Sequence, residues 1–578
     1  MLANDHIRYE PDERAPLPVT LVVSVQATVL IISNTIMVLT IFAGGLDDDG
    51  GYLFWALFAA LVVSGITTAL QANRIGRMGP GYILLTGPSV QFLAVAVLAA
   101  EAGGLALMSS LVVASSLVQF ATAAWLAQLR RIITPVVAGV AFMMIAVTAI
   151  PLATARLDDV PAGASPGAGT AVGAATLAVA ALLMLRGSGL FRLWAIPIAI
   201  VAGCVVAVLL GVYDVQRALD APWFDFPEVA GWPGFASPLS EDFWALLLVF
   251  LVVSAVVAVR ASNEGSVIQQ ASQRRPRTID FRAVQGTLNA NGFATLLSGI
   301  VGVLPTLIYL PTSIALISFT GVAARTVGLT AGIMVIVLAL LPKVVGLLLT
   351  VPPPVTGALL LIVMGLLFVE GMRTVLRDGL NQKRAFIVGV SLALAIGLQS
   401  HNVLADVIGG PWGVALGNSI VVGVLAAVVM TLVLDLAGPR SRRLETELDA
   451  AAFPGVEAFL RTLGDGMRWD AASIDQLCAA GEETLSTMLN LRDDHEGDTP
   501  PRLVVIARPG AGVVEMEFLA VFSEENIEDR IAYMSEQAAA PDVGEISFRL
   551  LRHYAASVRH RKYYGIDIVT VEVEGSRQ

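Results

Sequence analysis

Charge is scarce in this sequence: Asp, Glu, Lys and Arg make up 14% of its 578 residues, against roughly a quarter in an ordinary soluble chain. That shortage excludes a conventional soluble fold for most of its length. Cysteine is scarcer, with only two, Cys204 in an apolar run and Cys478 near the end. Two cysteines so far apart supply neither a disulfide framework nor the spacing of a zinc site. No metal site and no cofactor site is expected. No basic stripe runs along the chain, so nucleic acid is not an expected partner. The first apolar run lacks a small-residue cleavage motif and exceeds a signal-peptide core, so it reads as a retained span.

What is abundant is apolar surface, with hydrophobic residues at 56%. Runs of roughly 20 residues, the length that crosses a bilayer, recur from Pro18 to Leu436. The chain is therefore expected to be an α-helical polytopic membrane protein. Hydropathy predicts about fourteen spans. Their cores are 19–43, 52–72, 82–100, 105–127, 132–152, 169–186, 192–213, 243–262, 285–303, 306–320, 327–350, 355–372, 385–400 and 414–436. Arginines such as Arg74, Arg130, Arg186, Arg274, Arg325 and Arg373 mark one set of loops, and Asp47–Asp49, Glu101, Asp158 and Asp406 the other. By the positive-inside rule both termini are cytoplasmic.

Seven plus seven spans would give two halves of inverted topology. TPVVAG (Thr134–Gly139) opens span 5 and PPVTGA (Pro353–Ala358) opens its partner, span 12. TGPSV (Thr86–Val90) lies in span 3 and LPTSI (Leu310–Ile314) in span 10, again partners. Proline removes a backbone donor and clashes with the preceding turn, and Gly87 loosens the chain further. In lipid the freed backbone groups survive only inside protein or along a wet cavity. Two half-helices meeting there would aim their positive N-termini at one space. Thr86, Ser89, Thr312 and Ser313 would add short hydrogen-bonding groups to it. The alternative is a proline kink with each hydroxyl capping its own backbone.

Several stretches resemble the nucleobase–ascorbate transporter family, the nucleobase:cation symporters that include uracil and xanthine permeases. They are VQATVLIISNTIMV (Val25–Val38), GYILLTGPSVQF (Gly81–Phe92), TPVVAGVAFMMIAV (Thr134–Val147), ASNEGSVIQQAS (Ala261–Ser272), QGTLNANGFATLLSGIVG (Gln285–Gly302), SIALISFTGVAAR (Ser313–Arg325), NQKRAFIVGVSLALAIG (Asn381–Gly397) and LGNSIVVGVLAAVV (Leu416–Val429). The resemblance implies a transmembrane domain over 18–437, after a cytoplasmic segment 1–17. Spans 1–4 and 8–11 would form a core, spans 5–7 and 12–14 a gate, and the broken spans 3 and 10 short strands. It also implies elevator-type transport coupled to protons or sodium, and a homodimer through the gate. Gln26 matches the Gln of the family's first span. Where the family has an acid in span 8 this chain has Ser262, and where it has a second polar group in span 10 it has Thr312.

Glu264 is the carboxylate nearest that region, and Arg260 stands four residues before it, on the same helix face. Glu264 is either the coupling acid or a solvated end of span 8. Arg260 either neutralises it, meets an anionic substrate, or snorkels to the cytoplasmic surface. Ser33, Asn34, Asn289 and Asn291 read as structural hydrogen-bonding groups, and Lys343 as ambiguous.

Beyond Asp435 the composition becomes that of a soluble α/β domain, 440–578, which reads as a regulatory or dimer-contact domain. Helices are expected over 474–490, 526–537 and 545–558, and strands over 502–507 and 567–574. AASIDQLCAAGEETLSTML and EISFRLLRHYAASV resemble a degenerate, non-catalytic histidine-kinase-type ATPase fold; a sulfate-transporter-type regulatory domain is the alternative. The resulting functional reading is a secondary active transporter, not an enzyme, moving a nucleobase-like solute. The rivals are an anion or carboxylate carrier of the sulfate-permease type, and a membrane-embedded solute sensor signalling through the tail.

Overall fold

The computed structural model describes residues 4, 6–44, 46, 51–124, 134–161, 164–213, 231–238, 240–275, 279–376, 382–400, 403–437, 442–493, 502–510, 512–520, 551, 553–563 and 566–576. It divides into two compact units, one of His6–Ser272 with Ala283–Thr431, the other of Met1–Asp5, Gln273–Arg282 and Leu432–Gln578.

The larger unit is helical: α1 (Leu17–Gly44), α2 (Gly51–Ala72), strand β1 (Thr86–Pro88), α3 (Leu93–Ala124), α4 (Pro135–Ala155), α5 (Ala168–Arg186), α6 (Ala195–Leu209), α7 (Glu241–Ala271), α8 (Phe281–Val301), strand β2 (Thr306–Ile308), α9 (Leu310–Thr320), α10 (Arg325–Ala339), α11 (Pro342–Leu349), α12 (Pro353–Leu376), α13 (Gln382–Ser400), α14 (Gly410–Gly417) and α15 (Ser419–Ala437). Among the described residues seven helices are individually long and apolar enough to cross a bilayer, and α14 with α15, bent by 65°, makes an eighth candidate. A helical element lies at each of the expected spans, but several are broken. Span 11 is interrupted before Pro342, where a missing N–H and a ring clash stop α10. Spans 3 and 4 run together in α3, with the helix interrupted at Gly103 and Gly104, the latter at φ 76°.

Hydroxyl side chains let these helices stay apolar outside. Ser33, Thr35, Ser64 and Thr67 each donate to the carbonyl four residues back, at 2.6–2.8 Å, which keeps these four protons bonded within the helix. Packing is closest where glycines face each other. A Cβ on Gly65 of α2 would stand 2.6 Å from the Gly332 carbonyl oxygen of α10. On α4 and α12, a Cβ at Gly139 or at Gly371 would stand 2.7 Å from the other's carbonyl oxygen. Without side chains between them, backbones approach to contact, which drives helix association in lipid. One packed set joins α2 with α10, α3 with α7 and α1 with α10; another joins α4 with α12 and α5 with α6 and α12. The N-terminal segment is tied to the α9–α10 turn, where Arg8 N donates to Gly321 O at 2.7 Å and Ala323 N to Tyr9 O at 2.8 Å. Gly321 adopts φ 70°, and a side chain there would collide with the His6 carbonyl.

The smaller unit is a five-stranded, wholly antiparallel sheet in the order β3 (Arg442–Glu447), β4 (Arg502–Pro509), β5 (Val513–Ala520), β7 (Ile566–Glu574), β6 (Ser557–Tyr563), with α16 (Ala452–Gly466) and α17 (Ala471–Asp493). Alternate residues Leu503, Val505 and Ala507, then Val514, Met516 and Phe518, then Val569, Val571 and Val573 are buried with Leu460, Leu477 and Trp469, the period-two pattern of a sheet with one wet face. Three expected elements fall inside it, the 474–490 helix and both strands. The 545–558 helix does not hold to its end: Ser557 and Val558 begin β6, paired with Glu572 and Val571. An amphipathic period read locally misses a strand whose partner comes later in the chain. The 526–537 helix lies outside the described residues.

Two outcomes follow from this packing. Gly371→Leu forces a side chain into the α4 backbone and should cost about 1–3 kcal/mol, visible as a lower melting temperature in detergent, whereas Gly365→Ala, which meets nothing within 4 Å, should melt like the parent. Burial pushes the Cys478 thiol up to about 11. It therefore stays protonated at mildly alkaline pH, and iodoacetamide should label it far faster after denaturation than before.

Candidate functional site

The two broken segments meet. β1 and β2 pair antiparallel, with Thr86 opposite Ile308, Gly87 opposite Leu307 and Pro88 opposite Thr306. Flanking bonds extend the ladder, Ser89 N to Pro305 O at 2.8 Å and Tyr309 N to Leu85 O at 2.7 Å. Each strand also borrows a hydroxyl from the helix before it. Thr86 N donates to Thr68 Oγ1 of α2, and Thr306 N to Ser298 Oγ of α8, both at 3.1 Å. The crossing thereby pairs backbone groups that two interrupted helices would leave bare. Helix α9 starts directly after β2, and α3 follows β1 through the single turn Val90–Phe92. The proline motifs share this crossing but are out of step: Pro88 ends β1, whereas Pro311 sits in the first turn of α9, after β2 has ended.

The expected site residues separate into two groups. Thr86 is fully buried, its hydroxyl 2.6 Å from that of Thr67, 2.9 Å from that of Thr68 and 3.0 Å from the Ser64 carbonyl. Ser89 caps the Val90–Phe92 turn by accepting from Gln91 N at 3.2 Å, and donates to Gln91 Oε1 at 2.5 Å. Ser262 donates to Val259 O at 2.7 Å, one turn back in α7. Ser313 donates to Tyr309 O at 3.0 Å and accepts from Leu85 N at 2.9 Å. Gly87 leaves room for the Tyr309 ring, which any Cβ would strike. All five serve the protein's own backbone.

The second group keeps hydrogen-bonding capacity. Thr312 is half-buried and, among the described residues, makes no side-chain hydrogen bond. Gln26 of α1 has its Oε1 sealed from solvent without a donor. Glu264 is buried, and its Oε1 accepts from Arg260 Nε at 2.7 Å. The Arg260 guanidinium lies over the Phe142 ring of α4, 5.6 Å from its centroid, a cation–π contact. Helix α7 carries this pair and packs against the Val90–Phe92 turn, α9 and α4, while α1 packs against β1 and α9.

Tyr309 was not among the expected residues. Its hydroxyl donates to Pro88 O at 2.8 Å, closing the crossing from the β2 side. An aromatic residue two positions before the proline of an interrupted span was the available signal. Arg156, also unforeseen, pairs with Asp159 and donates to Thr40 O at 2.6 Å, tying the end of α4 to the end of α1. The asparagines read as structural bond within the protein, Asn291 Oδ1 accepting from Gln71 Nε2 at 3.2 Å, Asn289 Nδ2 donating to Arg77 O at 2.8 Å and Asn34 Nδ2 to Leu30 O at 2.9 Å, while Asn291 Nδ2 is buried without a partner among the described residues.

Known proteins share this sequence pattern. The model of the Permease family matches residues 19–404. The chain is 26% identical to the xanthine permease XanQ of Escherichia coli (strain K12) over 454 residues, covering 75% of this chain and 94% of that one. It is 23% identical to the uric acid permease PucK of Bacillus subtilis (strain 168) over 419 residues, covering 72% and 95%. Among solved structures it is similar to the transmembrane domain of a cyanobacterial bicarbonate transporter, BicA, with a TM-score of 0.48 and 17% identity, covering 73% of this chain and 100% of that one. With its bilayer-length apolar helices, the chain is an integral membrane transporter rather than an enzyme, and it belongs to the Permease family, that of the xanthine and uracil permeases.

Proposed function

We propose that the protein is a secondary active transporter that moves a nucleobase-like solute, of the uracil, xanthine or urate class, by an elevator motion coupled to a cation. The observation that carries this reading is the β1–β2 crossing, where two interrupted spans pair antiparallel and helices α3 and α9 leave from opposite ends of one short ladder, in a chain whose relatives are named xanthine and uric acid permeases. Helix N-termini and unsatisfied side chains at a crossing of this kind suit a polar solute. The relatives do not favour the sulfate-permease-type carrier or the sensor.

Fourteen spans in two inverted halves fit the mirrored hydroxyl supports at Thr86 and Thr306. Spans 1–4 and 8–11 would form a core and spans 5–7 and 12–14 a gate, a division that the α2–α10 and α4–α12 packing supports. The loop charges favour cytoplasmic termini, the gate is the surface for a homodimer, and the tail serves regulation. At the site, Gln26, Thr312, Arg260 and Glu264 meet the solute and the coupling cation. Thr86, Gly87, Ser89, Ser262 and Ser313 hold the shape they act in.

Proteoliposome uptake tests this directly: labelled uracil, xanthine or urate should accumulate under an inward proton or sodium gradient. Accumulation of sulfate or a dicarboxylate instead, with none of the three nucleobases, would overturn the reading. Thr312→Ala and Gln26→Ala should raise KM about tenfold, the worth of a hydrogen bond or two, at unchanged melting temperature. Thr86→Val strips α2 and β1 of a shared hydroxyl and should instead cost about 1–3 kcal/mol of stability.

A further inference from the structure

Arg260 is half satisfied. Only its Nε is bonded, to Glu264 Oε1 at 2.7 Å, and among the described residues its two terminal nitrogens have no hydrogen-bond partner. Its face is fixed against Phe142 at 5.6 Å, and its side chain keeps 19% of its accessibility against 5% for Glu264. A planar cation with one face stacked and its outer fork open matches the edge of a planar anion that can accept two parallel N–H bonds. Thr86, Ser89, Ser262 and Ser313 have spent their hydroxyls on the protein, and beside the neutral Thr312 and Gln26 the charged guanidinium is the strongest donor.

Few other charges bear on this pair. Helices α4, α9 and α14 and the Val90–Phe92 turn, all packed on α7, carry no Asp, Glu, Lys, Arg or His. Helix α3 contributes only Glu101 and α8, which meets α7 at Gly265, only Arg282, and both are exposed. Glu370 of α12, exposed, is the further carboxylate within electrostatic reach of Glu264. Arg260 therefore has charge enough to neutralise one anion at this place, not two.

We propose that Arg260 changes partners during transport: it binds the anionic form of an oxopurine, and Glu264, released from it, takes up one proton. This rests on the nucleobase reading given above. The charges balance. Before binding, Arg260 and Glu264 sum to zero; afterwards Arg260 and the purine anion sum to zero and Glu264 is the neutral acid, its proton drawn from the aqueous side the purine entered. A carboxyl stripped of its cation in a dry site takes a proton rather than keep its charge. Anion and proton thus travel together, and the loaded carrier crosses with the same net charge as the unloaded one.

Calorimetric titration of the full-length protein in detergent, at neutral pH in two buffers of different protonation enthalpy, reads the proton count. Urate is the anionic probe and hypoxanthine the neutral one. The parent should take up about one proton per urate and bind hypoxanthine more weakly. Glu264→Gln, lacking the competitor, should bind urate more tightly with no proton uptake, and Arg260→Gln should lose about ten- to a hundredfold in urate affinity. Urate bound by the parent without net proton uptake overturns the exchange, and that measurement needs no variant. Hypoxanthine bound as well as urate overturns the anionic preference while sparing the nucleobase reading. Binding of none of urate, hypoxanthine, xanthine and uracil overturns that reading and the exchange with it.

Discussion

Inside a bilayer every backbone N–H and C=O must find a partner within the protein, and this constraint shapes the centre of the larger unit. Two spans give up helical bonding at Thr86–Pro88 and Thr306–Ile308. The cost is met by pairing the two breaks with each other, by the Thr68 and Ser298 hydroxyls, and by the Tyr309 hydroxyl on the Pro88 carbonyl. Proline fits β1 because the ladder there does not require its missing donor. Gly87 fits because the Tyr309 ring lies against it. The same constraint makes Ser and Thr tolerable in the helices, where many, Ser33, Thr35, Ser64 and Thr67 among them, return the proton to the preceding turn.

Accounting for hydroxyls in this way separates groups already bonded to the protein from groups with hydrogen-bonding capacity left. Thr86, Ser89, Ser262 and Ser313 are the polar residues the sequence draws attention to, and they are consumed by the architecture. Groups with capacity left stand on different elements, among them Gln26 on α1, Thr312 on α9 and the Arg260–Glu264 pair on α7, beside amide atoms of Gln71, Gln119 and Asn291 that are buried without a partner among the described residues. Helix α7 packs both on α9 and on α4, and its charged pair meets α4 at Phe142. The Arg260–Phe142 contact joins the two packed sets, as do the Arg156–Thr40 bond and the packing of α1 on α12.

The class of fold was legible because hydropathy and loop charge are one-dimensional signals. Runs of apolar residues locate helices whatever their neighbours, and TGPSV and LPTSI locate the interruptions. The register of the crossing was not legible. The echo invites Pro88 to be matched with Pro311, whereas the strands set Pro88 opposite Thr306, because pairing depends on where each chain re-enters rather than on which letters repeat. In the tail, IDIVTVEV announced β7 through its β-branched run, but β3, β5 and β6 carry charges on their wet faces, and their strand character comes from partners elsewhere in the chain.

The sequence alone determined that the chain spans a membrane, that two of its segments are broken, and that Arg260 and Glu264 share a helix face, since each follows from composition or from spacing along one element. Only the tertiary structure decided that the breaks pair, which hydroxyls are already committed, and that the guanidinium rests on Phe142 with its outer fork open. These depend on distances between residues far apart in the chain, and no local pattern carries them.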